Sequence, residues 1–194
     1  AVEVGPGGEG VVVVTEGGGP VTGSHLLVAV GRVPNTDELG VEAAGIELDE
    51  GGWVRVDEEY RTSAEGVYAV GDCTGGPQFT HAAWDDHRIL FDLLTGGTAR
   101  RRDDRLVPFS TFTDPQVARV GLTEREARKR GVEVEVATLD FGRIARARET
   151  GRARGLVKVL VDPDSERILG AAVVGAEAAE LVTVLQVLME ARAP

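Results

Sequence analysis

The stretch Val67-Tyr68-Ala69-Val70-Gly71-Asp72 constrains this chain most, because an apolar run breaks on a Gly-Asp pair and a helical pattern follows from about Thr80 to Leu94, closed by Gly96. That order reads as a buried strand feeding a loop and then a helix. Upstream, Val11 to Val14 and Leu26 to Val30 flank the turn Gly17-Gly18-Gly19-Pro20 and read as a strand pair. Ile46-Glu47-Leu48 and Trp53-Val54-Arg55-Val56 alternate around Asp49-Glu50-Gly51-Gly52, the pattern of a second hairpin. The charged, glycine-free stretch Arg100 to Arg105 marks either a domain boundary or a solvated surface loop. Beyond it come strands over Val107 to Thr113 and Val117 to Val120, a helix from Thr123 to Arg130, strands near Val132 to Leu139, Leu156 to Val161 and Ile168 to Val174, and a closing helix from Ala176 to Ala191. Thr123 with Glu126 makes a capping box, and Gly131 supplies the helix stop. This second half is α+β, an antiparallel sheet with helices on one side.

Composition removes several classes of function. Acidic residues outnumber basic ones 32 to 21, a net charge of −11 that repels phosphate backbones and anionic membranes, so no nucleic-acid or membrane partner is expected. The longest apolar run, around Leu26 to Val30, is far too short to cross a bilayer. The single cysteine, Cys73, excludes an internal disulfide and a multi-cysteine zinc cage, and it suits a reducing, cytoplasmic setting. Beside Asp72 its thiol is expected to be a poor nucleophile. His81 and His87 are six apart and fall on different faces of a helix, so no metal site is expected there. The abrupt start at Ala1-Val2-Glu3-Val4 and the end at Pro194 lead to the expectation that both ends are cut.

Three segments carry the chemistry through their order: Ala29-Val30-Gly31-Arg32-Val33-Pro34-Asn35-Thr36, then Arg61-Thr62-Ser63, then Val67 to Asp72. In this the chain resembles the FAD-dependent pyridine nucleotide-disulfide oxidoreductases, the flavoproteins that include dihydrolipoamide dehydrogenase, glutathione reductase and mercuric reductase. Phe112-Thr113-Asp114-Pro115-Gln116-Val117-Ala118-Arg119-Val120-Gly121-Leu122-Thr123-Glu124 is similar to the opening of that family's dimerisation domain. Arg146-Ala147, Gly155-Leu156-Val157-Lys158 and Ile168-Leu169-Gly170 continue the likeness in order. Within the family, Gln78-Phe79-Thr80-His81 followed by Trp84 to Leu90 looks most like mercuric reductase relatives, especially the branch linked to bacterial reactive-chlorine resistance and metal reduction.

The resemblance implies α/β plus α+β architecture: the end of an NAD(P)H-binding domain over 1–36, the returning part of an FAD-binding domain over 37–100, and an α+β dimerisation domain over 106–194 that stops before a His-Pro motif. Flavin lies across the carboxyl edge of a parallel sheet, where strand ends project groups toward ligand. Asp72 would accept a hydrogen bond from a ribityl hydroxyl, and Gly71 would admit the backbone close to it. The helix start at Gln78, Phe79, Thr80 and His81 would face the flavin pyrimidine, where amides and the helix dipole favour the negative charge of the reduced ring. Gly31 joins these as a cofactor-side residue of the NAD(P)H segment. The implied activity passes electrons from NAD(P)H through FAD to a Cys-Cys disulfide and on to a small-molecule disulfide or a metal ion, in a homodimer assembled through the C-terminal domain. The Cys pair, the His-Glu acid-base pair and the Gly-x-Gly-x-x-Gly loops are expected outside this stretch, so it holds no catalytic residue and is expected to be inactive alone. A self-standing dimerisation module, and a flavoprotein of NADH-oxidase or ferredoxin-reductase type, are the competing readings.

Overall fold

A computed structural model of the chain describes residues 2–5, 9–97 and 100–193; Ala1 and Pro194, the expected cut ends, lie outside them. The chain forms two units, Ala1–Val33 and Pro34–Pro194. The first is a three-stranded antiparallel meander, β1 (Val2–Val4), β2 (Val11–Val13) and β3 (Val21–Gly23). The Gly17–Pro20 turn does close a hairpin, but its second strand is Val21–Gly23 and not the expected Leu26 to Val30. The latter run joins no ladder among the described residues, and Leu27 and Val30 are 87% and 92% exposed. A strand is held by a hydrogen-bonded neighbour, so apolar sequence without one stays irregular.

This unit holds the glycine spacing of a dinucleotide loop in a different setting. Gly5, Gly7 and Gly10 carry the Gly-x-Gly-x-x-Gly spacing, although Pro6, Gly7 and Gly8 lie outside the described residues. Gly5 N–H donates to Gly10 O at 3.1 Å across a connection between the antiparallel strands β1 and β2. A dinucleotide fingerprint needs a helix N-terminus directly after the loop, and here a strand follows.

In the second unit, residues 34–70 contain no named strand. The expected hairpin around Asp49 to Gly52 contracts to one bridge, Leu48 with Val54, and the expected strand Val67–Val70 to one bridge, Tyr68 with Arg61. Both segments have strand-like sequence but no ladder partner among the described residues. A single 3-10 turn over Gly71–Thr74 follows, and then α1 (Thr80–Thr95), stopped by Gly96 in the left-handed region at φ 76°. A β-carbon is strained there, which is why a glycine ends the helix.

From residue 109 the sheet is complete: β4 (Phe109–Thr111), β5 (Gln116–Gly121), β6 (Glu135–Asp140), β7 (Leu156–Val161) and β8 (Ile168–Gly175), all antiparallel in the order β4-β5-β8-β7-β6. β4 is shorter than the expected 107–113, since Pro108 has no N–H to give a ladder. The capping box of α2 (Glu124–Arg130) is present, with Glu126 N–H donating to Thr123 Oγ1 at 3.1 Å and Thr123 N–H to Glu126 Oε2 at 2.7 Å. A short α3 (Ala145–Glu149) precedes β7, and α4 (Ala178–Glu190) packs on β5 and β8. The core gathers Ala118, Val120, Ala171, Val173, Ala178 and Val182 with Phe141. At Gly170 the main chain of Leu122 comes so close that a β-carbon would collide with it. The fold is thus an antiparallel α+β layer preceded by loop-rich sequence around one long helix, and among the described residues no helix is long and apolar enough to cross a membrane.

Candidate functional site

The Gly71–Asp72 turn is built from backbone geometry that few sequences allow. Gly71 sits at φ 76°, and a β-carbon on it would lie 3.3 Å from the Ala83 methyl, so glycine lets the turn lean on α1. Thr74 Oγ1 donates to Gly71 O at 2.9 Å, Gly75 N–H to Asp72 O at 3.2 Å, and Val54 N–H to Cys73 O at 2.8 Å. Asp72 projects from this closed turn with its side chain exposed. Burial first, and then the Asp72 and Asp86 carboxylates, push the Cys73 thiol up from its ordinary value. A thiol held protonated in this way is a weak nucleophile.

The start of α1 lies one short loop further on. Phe79 is its N-cap, with no side-chain cap bond and no acidic residue in the first turn, so no carboxylate there offsets the positive end of the helix dipole. Phe79 stacks on Phe109 at 5.1 Å between centroids, and Arg119 sits 5.1 Å from the other ring's centre. His81 is exposed and donates Nε2–H to Pro108 O at 2.7 Å, tying the helix start to the strand edge. Thr80 is exposed and Gln78 half-buried. A cavity of about 330 Å³ opens among Phe79, His81, Phe109 and Phe112. Gly71, Asp72 and Gln78 to His81 are therefore brought to one end of α1. Gly31, exposed at φ 127°, belongs to the first unit and is described only there.

Beneath the turn lies a polar cluster that the sequence reading did not single out. Asp86, 5% exposed within α1, receives three donors: Tyr60 OH at 2.7 Å on Oδ1, Arg105 Nη2 on the same oxygen, and Gly71 N–H at 2.8 Å on Oδ2. Arg105 also reaches Ala82 O at 3.2 Å and Asp85 Oδ2 at 3.1 Å, and Arg100 holds both Asp85 oxygens at 2.6 Å. Burial, and next the Asp86 hydrogen bond, push the Tyr60 hydroxyl well above its ordinary range, so it stays a donor. Burial works against the charge of Asp85, but hydrogen bonds from Arg100 and Arg105 outweigh it and hold that carboxyl low. The signal was present in the helix periodicity: Ala82, Asp86 and Ile89 share the buried face, and a carboxylate in such a stripe demands donors.

Two family models divide the chain between them. Residues 1–86 match the pyridine nucleotide-disulphide oxidoreductase model, and residues 107–194 match the dimerisation domain of the same family. The chain belongs to the pyridine nucleotide-disulphide oxidoreductases. It is 42% identical over 170 residues to the probable pyridine nucleotide-disulfide oxidoreductase RclA of Escherichia coli, covering 87% of this chain and 38% of that protein. A dihydrolipoyl dehydrogenase from Halobacterium salinarum is 41% identical over 165 residues, covering 85% of this chain and 35% of its own length. A solved Cu(II) complex of the HOCl-induced flavoprotein disulfide reductase RclA from E. coli superposes with a TM-score of 0.84 at 39% identity, over 96% of this chain and 42% of that one. The chain thus spans about two fifths of the relatives it matches.

Pyridine nucleotide-disulphide oxidoreductases dimerise through the domain matched at 107–194, and in this chain that domain is the five-stranded sheet with α4. The apolar residues of α4 that recur at three and four (Ala178, Leu181, Val182, Leu185, Leu188, Met189) do not form one face. Ala178, Val182, Leu185 and Met189 pack on the domain's own core, while Leu181 and Leu188 turn outward with Val184 and Val187, the last two each 60% exposed. The helix is apolar on both sides, and a period of three and four alone does not tell them apart.

Proposed function

We propose that this chain supplies the flavin-side return segment and the dimerisation domain of a cytoplasmic FAD-dependent NAD(P)H oxidoreductase of the disulfide reductase type. The domains run over 1–36 on the NAD(P)H side, 37–100 on the FAD side and 106–194 at the dimer. The observation that carries the reading is the Gly71–Asp72 turn, closed on itself and leaning on a helix whose start has neither side-chain cap nor first-turn acid. Those features fit a flavin: a glycine where a β-carbon would press on Ala83, an exposed carboxylate beside it, and free positive helix potential nearby.

When bound, FAD supplies the two-electron relay between the nicotinamide and the disulfide. Asp72 accepts a hydrogen bond from a ribityl hydroxyl, and Gly71 keeps the backbone close enough for it. Main-chain amides of Thr80 and His81, with Gln78 and Phe79 at the helix entry, face the pyrimidine edge, where the helix dipole favours added negative charge. Gly31 lies on the nicotinamide side. With one cysteine in 194 residues, the redox disulfide is contributed by the rest of the enzyme, as are the acid-base pair and the pyrophosphate-binding loop. This stretch alone is accordingly inactive. The outward apolar residues of α4, Val184 and Val187 foremost, meet a second copy across the dimer axis.

The acceptor is a metal ion in preference to a small disulfide, on the strength of the Cu(II) complex formed by the RclA relative. Anaerobic titration tests the whole reading: NADH or NADPH added to the full-length enzyme bleaches a stoichiometric flavin band, and Cu(II) restores it faster than lipoamide or glutathione disulfide does. A full-length protein that carries no flavin contradicts the proposal, and recovery by the disulfides alone contradicts the choice of acceptor.

A further inference from the structure

We infer that Asp86, clamped by Tyr60 and Arg105, is the positioning residue of the cofactor turn: through Gly71 N–H it fixes where Asp72 stands. The inference rests on the reading of Gly71–Asp72 as the flavin contact and adds a group that never touches the cofactor. Its basis is the division of labour on one carboxylate. Oδ1 takes Tyr60 OH at 2.7 Å and the Arg105 guanidinium, both from buried side chains, whereas Oδ2 takes only the amide of Gly71, at 2.8 Å. Among the described residues, one oxygen anchors the carboxylate and the other passes that anchoring to the turn.

The three side chains come from distant positions in the chain. Tyr60 is fully buried at φ 62°, a left-handed conformation that a bulky residue adopts only when its surroundings hold it there. Its own carbonyl accepts from Ala69 N–H at 3.1 Å, so the residues leading into Gly71 are tied to the same anchor. Arg105 closes the far side and continues to Asp85 and Arg100. A buried carboxylate with three donors is stable only while all remain, so this cluster has one geometry, and the turn inherits it. A flavin-binding carboxylate must be held within roughly half an ångström of its productive place, and a turn on exposed loops does not reach that without a support of this kind.

The test uses the full-length FAD enzyme and reads flavin release at 25 °C together with thermal unfolding of the apoprotein. Asp86→Asn keeps an oxygen for Gly71 N–H but turns its NH2 toward Tyr60 OH and Arg105, so it is expected to raise the flavin off-rate by a few-fold, less than removal of the acceptor does. Asp86→Ala removes the acceptor and is expected to raise the off-rate about tenfold or more, the scale of one charge-assisted hydrogen bond. Tyr60→Phe, which keeps the packing, is expected to raise it by a few-fold, about the worth of a neutral hydrogen bond. The midpoint potential of the bound flavin shifts in Asp86→Ala and in Tyr60→Phe, a readout that a purely stabilising role leaves unmoved. Native off-rate and potential in folded Tyr60→Phe overturn the inference even if Asp86→Ala fails to fold, as do equal effects of the Asn and Ala variants. Asp72→Ala, run in parallel, separates the two levels: if it too retains flavin normally, the reading of the turn fails, and if it alone loses flavin, only the role of Asp86 fails.

Discussion

In residues 109–175 every strand has a hydrogen-bonded neighbour from the same stretch, whereas the described residues of 34–105 hold one long helix, single 3-10 turns and two isolated bridges, with side chains tying the pieces together. The first region is organised by main-chain ladders over an apolar layer of Val120, Val173 and Val182. The second is organised by carboxylates and guanidinium groups, with Asp86 and Arg105 at the centre. The sheet rests on ladders whose partners lie in the same stretch, whereas the Gly71–Asp72 turn rests on which buried charge finds which donors.

Substitution at Gly170 should produce the largest effect on this contrast. A methyl there meets the Leu122 main chain, which cannot move without breaking the β5–β8 pairing, so Gly170→Ala is expected to cost about 3 kcal/mol, the upper range for overpacking. Calorimetry of the full-length enzyme reads the loss, and hydrogen exchange should confine the loosening to 109–190 with α1 unchanged. Equal loosening of α1 would mean that the two regions are one cooperative unit.

Acid should act the other way round, and more weakly. Asp85 has a folded value below its unfolded one of about 3.9, so its contribution is present above that value and is lost as pH falls through the lower folded value. Protection of α1 amides is therefore expected to fall below about pH 4 once intrinsic exchange is corrected for. In the sheet region Glu124 is also held low, by its hydrogen bond and charge pairing with Lys158, but both side chains are well exposed and such pairs contribute little. Sheet amides that lose protection before those of α1 would break the contrast.

The same division explains what could be read from the amino-acid order. The Thr123–Glu126 box and the stops at Gly96 and Gly131 stand where the pattern put them, because each depends on neighbours a few residues away, and Leu156–Val161 does so because β6 and β8 lie on either side of it. Val67–Val70 and Leu26–Val30 have strand composition but no ladder, since pairing is a property of two segments and composition describes one. That a turn at Gly71-Asp72 precedes the long helix was legible from the break in the apolar run. Asp86 was signalled only by its place on the buried face of α1, and Tyr60 and Arg105 were not signalled at all, for their meaning lies in contacts across 26 and 19 positions, and Arg105 read as part of a charged boundary.

The most direct measurement takes Asp72→Ala in the full-length enzyme and follows flavin release and thermal unfolding on the same sample. Loss of a hydrogen bond to a charged acceptor, about 1.5–3 kcal/mol, should weaken flavin affinity by roughly ten- to a hundred-fold. The apoprotein should unfold at the native temperature and remain a dimer, because Asp72 is exposed and lies outside the matched dimerisation domain. Native flavin affinity in a well-folded Asp72→Ala enzyme, or flavin lost only as the protein melts, would contradict the account.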